Sequence, residues 1–182
     1  MDLKPNFSWI HAINAPPGEA LDALQHLYAQ LDADIAARKP ICNTSGRCCN
    51  FEVWGHRLYV STLELAFFRH VITLRQTNAL ASTANVQYPP AKAIVTFPLP
   101  LHQENGILSP GCPWQIANLC TAREARPLGC RIYFCDSTAQ SWQQERYEHY
   151  HQKIIALHGQ FHLPYHYLEW RSALTHIDNH PQ

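Results

Sequence analysis

The sequence has no surplus of charge: lysine and arginine number 14, and aspartate and glutamate also 14. A neutral chain exerts no general pull on nucleic acid or on an anionic membrane surface, so neither is an expected partner. No window approaches the roughly 18 consecutive apolar residues of a membrane span. The opening stretch, Met1 to Ile10, lacks the cationic segment and apolar run of a secretory signal. A soluble, cytoplasmic protein is the expectation. Also missing are a Gly-rich phosphate loop, a GxSxG nucleophile motif, and paired carboxylates placed for acid–base work. Asp136 and the scattered glutamates read as solvated positions. With no internal repeat, low-complexity tract or linker, residues 1–182 are expected to form a single domain.

What the chain does have is cysteine: Cys42, Cys48, Cys49, Cys112, Cys120, Cys130 and Cys135. In a reducing compartment structural disulfides are rare, and an odd count cannot pair completely. Metal binding or redox chemistry therefore ranks above a disulfide framework. The plain alternative is buried free thiols, since cysteine packs well as a small apolar residue.

Around the cysteines the pattern is mainly helical. Leu21, Leu24, Tyr28, Leu31 and Ile35 recur at helical steps between residues 17 and 38, with Pro17 and Gly18 at the start and Pro40 as the stop. Residues 51 to 60 read as a short extended piece. Ser61 followed by Glu64 is a capping box, and predicts a helix to about residue 77 that buries Leu65, Phe68 and Ile72. Six prolines between residues 78 and 113 predict loop, with a short strand near 93 to 97. Pro113, Pro127 and Gly129 forbid one long helix between residues 112 and 135. Helical periodicity returns from 138 to 158 with Trp142, Tyr147, Tyr150, Ile154 and Leu157. A last helix after Pro164 takes in Tyr165, Leu168 and Leu174. The expected fold is a mainly α domain with at most a short strand pair, whose irregular middle, residues 42–135, is a metal-stapled cysteine-rich region.

The cysteines fall in three groups. The first is Cys42-Asn43-Thr44-Ser45-Gly46-Arg47-Cys48-Cys49, where Gly46 suits a loop that turns back on itself. Adjacent cysteines are awkward for one mononuclear site, because neighbouring side chains diverge by about 100° in a helix and point oppositely in a strand. In the second group seven residues separate Cys112 from Cys120. The third is Arg126-Pro127-Leu128-Gly129-Cys130-Arg131-Ile132-Tyr133-Phe134-Cys135. None is a CxxC knuckle. Seven thiolates exceed the four of a tetrahedral zinc or a single iron–sulfur cluster, so a multinuclear centre or a site with spare thiols is expected. Arg47, Arg126 and Arg131 stand beside cysteines and are candidates to offset thiolate charge. His56 is the best-placed histidine ligand. His158, His162 and His166 are spaced to share a helix face, but Pro164 breaks that helix.

These residues carry a family resemblance. Cys42-x-x-Ser45-Gly46-x-Cys48-Cys49, Cys112-Pro113, Cys120 and Arg126-Pro127-Leu128-x-Cys130-Arg131-x-Tyr133 together resemble the YkgJ-type cysteine-cluster proteins. That family is described as zinc- or iron-chelating, and opens on CxxCGxCC and closes on RPxxCRxYP. The likeness covers about residues 42 to 135. Two positions depart from it: Ser45 stands at the usual second cysteine, and Phe134-Cys135 replaces the usual proline end. Cys135 is then expected to supply the thiolate that Ser45 lacks. The resemblance implies a metal-binding protein that chelates zinc or iron, with all seven cysteines as candidate ligands. An iron–sulfur or multinuclear-iron redox protein and a metal-free cytosolic protein with core or redox-sensing thiols are the alternatives. No substrate or protein partner follows from the sequence.

Overall fold

The apolar stripe between residues 17 and 38 folds as α1 (Gly18–Arg38) in the computed structural model, which describes residues 12–84 and 111–178. Pro17 precedes its first turn. Lys39, in the left-handed region at φ 53°, closes it by donating its N–H to the Ile35 carbonyl. Ala20, Leu21, Leu24, Leu27, Tyr28 and Leu31 are buried, and this face lies against two other long helices.

The first of these is α3 (Thr62–Ala84), preceded by the one-turn α2 (Phe51–Trp54) and by β1 (Tyr59–Ser61). The second is α5 (Gln140–Gln160), which follows the short α4 (Leu128–Ile132) and a 3-10 turn, Ser137–Ala139. β4 (Tyr167–Glu169) then pairs antiparallel with β1, Val60 opposite Leu168, and leads into α6 (Trp170–Asp178). A second pair, β2 (Gln115–Ile116) and β3 (Leu119–Cys120), forms a hairpin. The molecule is mainly helical with two small antiparallel sheets. Among the described residues no helix is long and apolar enough to cross a membrane.

One contiguous hydrophobic cluster joins these elements, with Leu24, Leu31, Leu63, Leu65, Leu128, Ile154 and Trp170 at its centre. Cys49 and Cys112 belong to it. The sulfur-bearing loops are thus continuous with the core.

Four expectations need correction. The last helix does not start just after Pro164 and take in Tyr165 and Leu168: pairing with β1 holds Leu168 in a strand, and the helix begins at Trp170. α3 runs to Ala84 and not to about residue 77, because residues 78–84 contain neither proline nor glycine to stop it. Residues 51–54 are a helical turn and not extended chain, closed by Gly55 at φ 66°. Two strand pairs form in place of one. The hairpin turns on Ala117 and Asn118, both at positive φ (48° and 65°) as a two-residue primed turn requires. Ala-Asn is a weak signal for that turn. The strand expected near 93–97 and most of the proline-rich loop lie outside the described residues.

The capping box forms as expected. Ser61 Oγ accepts the Glu64 N–H at 3.3 Å, and Glu64 Oε2 accepts the Ser61 N–H at 2.8 Å. Glu64 does more than cap, since Oε1 also accepts from Tyr28 Oη (3.1 Å) and from the Leu128 N–H (2.8 Å). One buried carboxylate thereby ties α1, the start of α3 and the start of α4. Glu64→Ala would strand three buried donors, each costing about 1–3 kcal/mol. We expect a loss of about 3 kcal/mol or more in urea denaturation, with Glu64→Gln losing less. A change below about 1 kcal/mol for Glu64→Ala would contradict this assignment.

Candidate metal centre

The loop after Pro40 doubles back because Thr44 and Gly46 both take positive φ, 48° and 73°. A Cβ on Gly46 would stand 2.4 Å from Gln115 Nε2 and 2.7 Å from Asn118 Oδ1, so only glycine fits this close approach. Gln115 Nε2 donates to the Gly46 carbonyl at 2.9 Å, which fixes the first cysteine loop to the β2–β3 hairpin. The chain then enters a 3-10 turn, Arg47–Cys49. The Cys112 N–H donates to the Cys49 carbonyl at 2.7 Å, a second stitch between two cysteine groups. Gly111 permits it, since a Cβ there would lie 3.0 Å from that same carbonyl oxygen.

The result is one small cavity of about 90 Å³ with all seven cysteines on its wall. Cys49 and Cys112 are buried, Cys42 is exposed at the rim, and the other four are half-buried. The tandem pair does not diverge as helix or strand geometry led us to expect. The 3-10 turn holds Cys48 Sγ and Cys49 Sγ 3.8 Å apart on the same cavity. A tetrahedral zinc with Zn–S bonds of about 2.3 Å has S···S edges of about 3.8 Å, so this spacing is one a shared ion accepts. The Cys135 sulfur lies 3.5 Å from Ser45 Oγ.

Among the described residues no three histidine, cysteine or acidic side chains stand ready-made around one point. In this form the sulfurs bond to each other. The Cys49 thiol hydrogen-bonds with its neighbours Cys112 and Cys48, which raises its own pKa above the ordinary range. The same contact draws Cys48 down to about 6 and also lowers Cys112. Burial pushes Cys120 up, and pushes Cys130 well up.

The remaining wall suits negative sulfur. Arg123 and Arg126 line the cavity, no carboxylate among the described residues does, and both guanidiniums favour the Cys48 thiolate. Trp170, on the same wall, is buried, and its indole N–H has no acceptor in hydrogen-bonding geometry. It lies toward the sulfur of Cys112, whose anionic form it stabilises. A buried orphan donor facing thiols is satisfied when the sulfur becomes a thiolate. Soft donors, cationic neighbours and this unspent N–H make the cavity fit a thiophilic metal.

Several candidates sit elsewhere. Arg131 does not reach sulfur: it is buried over the Tyr28 ring, pairs with Asp32 at 2.9 Å, and donates to the carbonyls of Arg126 and Glu124. Arg47 lies over the Trp54 ring, 3.9 Å from its centroid, outside the sulfur cavity. Of the three arginines only Arg126 lines the cavity, where it also donates to the Cys130 carbonyl. His56 stacks on Tyr133 and is not on the cavity wall. His158 is buried near the end of α5, while His162 and His166 follow beyond it, so the three do not share a helix face. Asp136 is not solvated. It is buried, caps the 3-10 turn through Thr138, and accepts the Ile41 N–H at 3.1 Å, tying the segments of Cys42 and Cys135 together. Arg123 and Trp170 went unnoticed in the sequence because nothing in their local spacing links them to cysteine.

The metal-free protein should show these inequalities directly. The folded state lowers Cys48 from an ordinary 9.0 to about 6. Its thiolate therefore contributes stability in full above about pH 9, and that contribution is lost as pH falls through about 6. Iodoacetamide alkylation of Cys48, followed by peptide mass spectrometry, should be half-maximal near pH 6, with Cys120 and Cys130 unreactive there. A common midpoint near 9 for all three would contradict this electrostatic picture.

Compared with known proteins, the chain matches no family model, no curated protein and no solved structure.

Proposed function

We propose that this protein is a cytoplasmic metal-binding protein that chelates zinc or iron through cysteine thiolates, akin to the YkgJ-type proteins its motifs resemble. The observation that carries the reading is the gathering of sulfurs from residues 42–49, 112–120 and 130–135 on one cavity of about 90 Å³. Cys48, Cys49 and Cys112 form its inner set and Cys120 and Cys130 its half-buried flank, while Cys135, beside Ser45, completes the wall. Bound metal would supply a closed thiolate centre that organises the irregular middle of the fold. The chain's own groups do the rest: Arg123 and Arg126 balance sulfur charge, Trp170 donates to sulfur, and the hydrophobic cluster keeps water from the inner thiols.

A second reading, an iron–sulfur or multinuclear-iron redox centre, is favoured by the donor count. Seven cysteines on one wall exceed the about four thiolates that one zinc ion or one cluster needs. Anaerobic purification followed by metal analysis and an absorption spectrum separates the two. Colourless protein with stoichiometric zinc supports the first reading, and a brown, oxygen-sensitive preparation the second. Absence of metal, with seven titratable thiols in the folded state, rejects both in favour of a metal-free thiol protein.

Two outcomes follow for the loaded protein. Cys135→Ser should lower metal content as much as Cys48→Ser does, measured by elemental analysis; full retention would remove Cys135 from the ligand set. Metal must displace protons from thiols whose pKa burial raises, Cys120 and Cys130 among them. Apparent affinity in a chelator competition should therefore fall about tenfold per pH unit for each proton displaced as pH drops below 7. A flat profile would show that these thiols do not ligate.

A further inference from the structure

A second recess opens against the sulfur cavity. It is a groove of about 560 Å³ that shares Cys48, Cys130, Tyr133, Phe134 and Cys135 with the cavity wall. That volume lies in the range of small-molecule sites. Its sides come from α2, the residues around β1, α4 and the first half of α5, so a ligand lying in it would have one end against Cys48 and Cys135.

Two features of the lining are out of the ordinary. Trp54, Tyr59, Tyr133 and Tyr167 all face the groove and are between 39 % and 48 % exposed. Large rings left open to solvent together are a costly arrangement that a stacked planar ligand relieves. The second feature is charge. Arg47 and Arg57 line the groove, and among the described residues no aspartate or glutamate does. Neither guanidinium belongs to an ion pair among the described residues, a state they share with Arg38, Arg69, Arg123 and Arg126, so what sets the groove apart is two such cations on one lining that holds no carboxylate. Arg47 is held in place by its position over the Trp54 ring, so the charge is already oriented before anything binds.

We propose that this groove binds a small, ring-bearing oxyanion, a planar carboxylate or phosphate ester, with Arg47 and Arg57 on the anion and the aromatic wall on the ring. A guanidinium grips carboxylate or phosphate through paired N–H donors, and a cation of the same shape would be repelled. A nucleic-acid strand presents the same chemistry but is disfavoured here. Two unpaired arginines on a chain of zero net charge give little of the phosphate-tracking attraction that strand binding needs. The binding itself stands on the groove alone. Its placement as the approach to a metal-thiolate centre rests on the function proposed above.

Calorimetric titration of the full chain tests the proposal with four probes: 2-naphthoate, 2-naphthyl phosphate, 2-naphthylmethylammonium and cyclohexanecarboxylate. We expect one-to-one binding of at least one naphthyl anion, at least tenfold tighter than the cation and than the non-aromatic carboxylate. The better of the two anions tells carboxylate from phosphate. Arg57→Gln should weaken that anion at least fivefold and Arg57→Lys should keep most of its affinity, with urea midpoints unchanged because Arg57 holds no structural ion pair. Equal binding of cation and anion, equal binding of the non-aromatic carboxylate, no binding of either naphthyl anion, or indifference to Arg57→Gln would each overturn the proposal. So would a thymidine octanucleotide that binds tenfold tighter than either naphthyl anion. Metal content measured on the same samples keeps the two ideas apart. Metal present without anion binding sinks the groove alone, and anion binding without metal sinks the metal centre alone.

Discussion

The Glu64 carboxylate is the constraint on which the placement of the sulfurs rests. It is buried, and it accepts hydrogen bonds from Tyr28, Ser61 and Leu128, residues from three separated parts of the chain. A buried carboxylate is tolerable only while its lone pairs are engaged, so the three segments are held together or all are destabilised. Leu128 opens the short helix that carries Cys130. Arg131, on the same helix, is anchored to Asp32 on α1 and over the Tyr28 ring. Two cysteines of the third group thus hang from a rigid polar joint. The first two groups are held differently, by backbone stitches at Gly46 and at Cys49–Cys112. The sulfur wall is where the two kinds of attachment meet.

This arrangement resolves a tension in the cavity's electrostatics. Buried thiols resist ionisation, as Cys120 and Cys130 do, yet metal ligation requires thiolates. The chain lowers that barrier unevenly. The Cys49 thiol favours anions at Cys48 and Cys112, helped by Arg126 and Arg123 at the first and by the Trp170 indole at the second, while burial holds Cys120 and Cys130 protonated. A metal arriving at Cys48 would meet a ligand already ionised near neutral pH and would then displace protons from its neighbours.

Local chemistry announced much of this. The stripe of Leu21, Leu24, Tyr28 and Leu31 and the Ser61–Glu64 box were legible because helix periodicity and capping act over three or four residues. The cysteines were legible as a group through their number. What could not be read depends on contacts between distant segments. Arg131 neighbours Cys130 in sequence, but its side chain leaves for Asp32, 99 residues away. Trp170 reaches the cavity only because β4 folds back onto β1. The mutual divergence of Cys48 and Cys49 was argued from regular helix and strand geometry, and a 3-10 turn obeys neither.

The same backfolding explains why the sulfur wall has a groove beside it. Pairing β4 with β1 sets Tyr167 next to Tyr59, their rings stacked 5.5 Å apart, and Tyr147 of α5 hydrogen-bonds to Tyr167 from the other side. These rings form one flank, and α2 supplies Trp54, with Arg47 of the preceding 3-10 turn over its ring, on the other. Neither flank is needed to hold the cysteines, which are fixed by Glu64, Gly46 and Gly111. A chain whose only task was to enclose a metal would gain stability by covering those aromatics or replacing them with charge. That they stay open, beside unpaired guanidiniums and against the outermost sulfurs, is the feature of this fold that structural stability alone leaves unexplained.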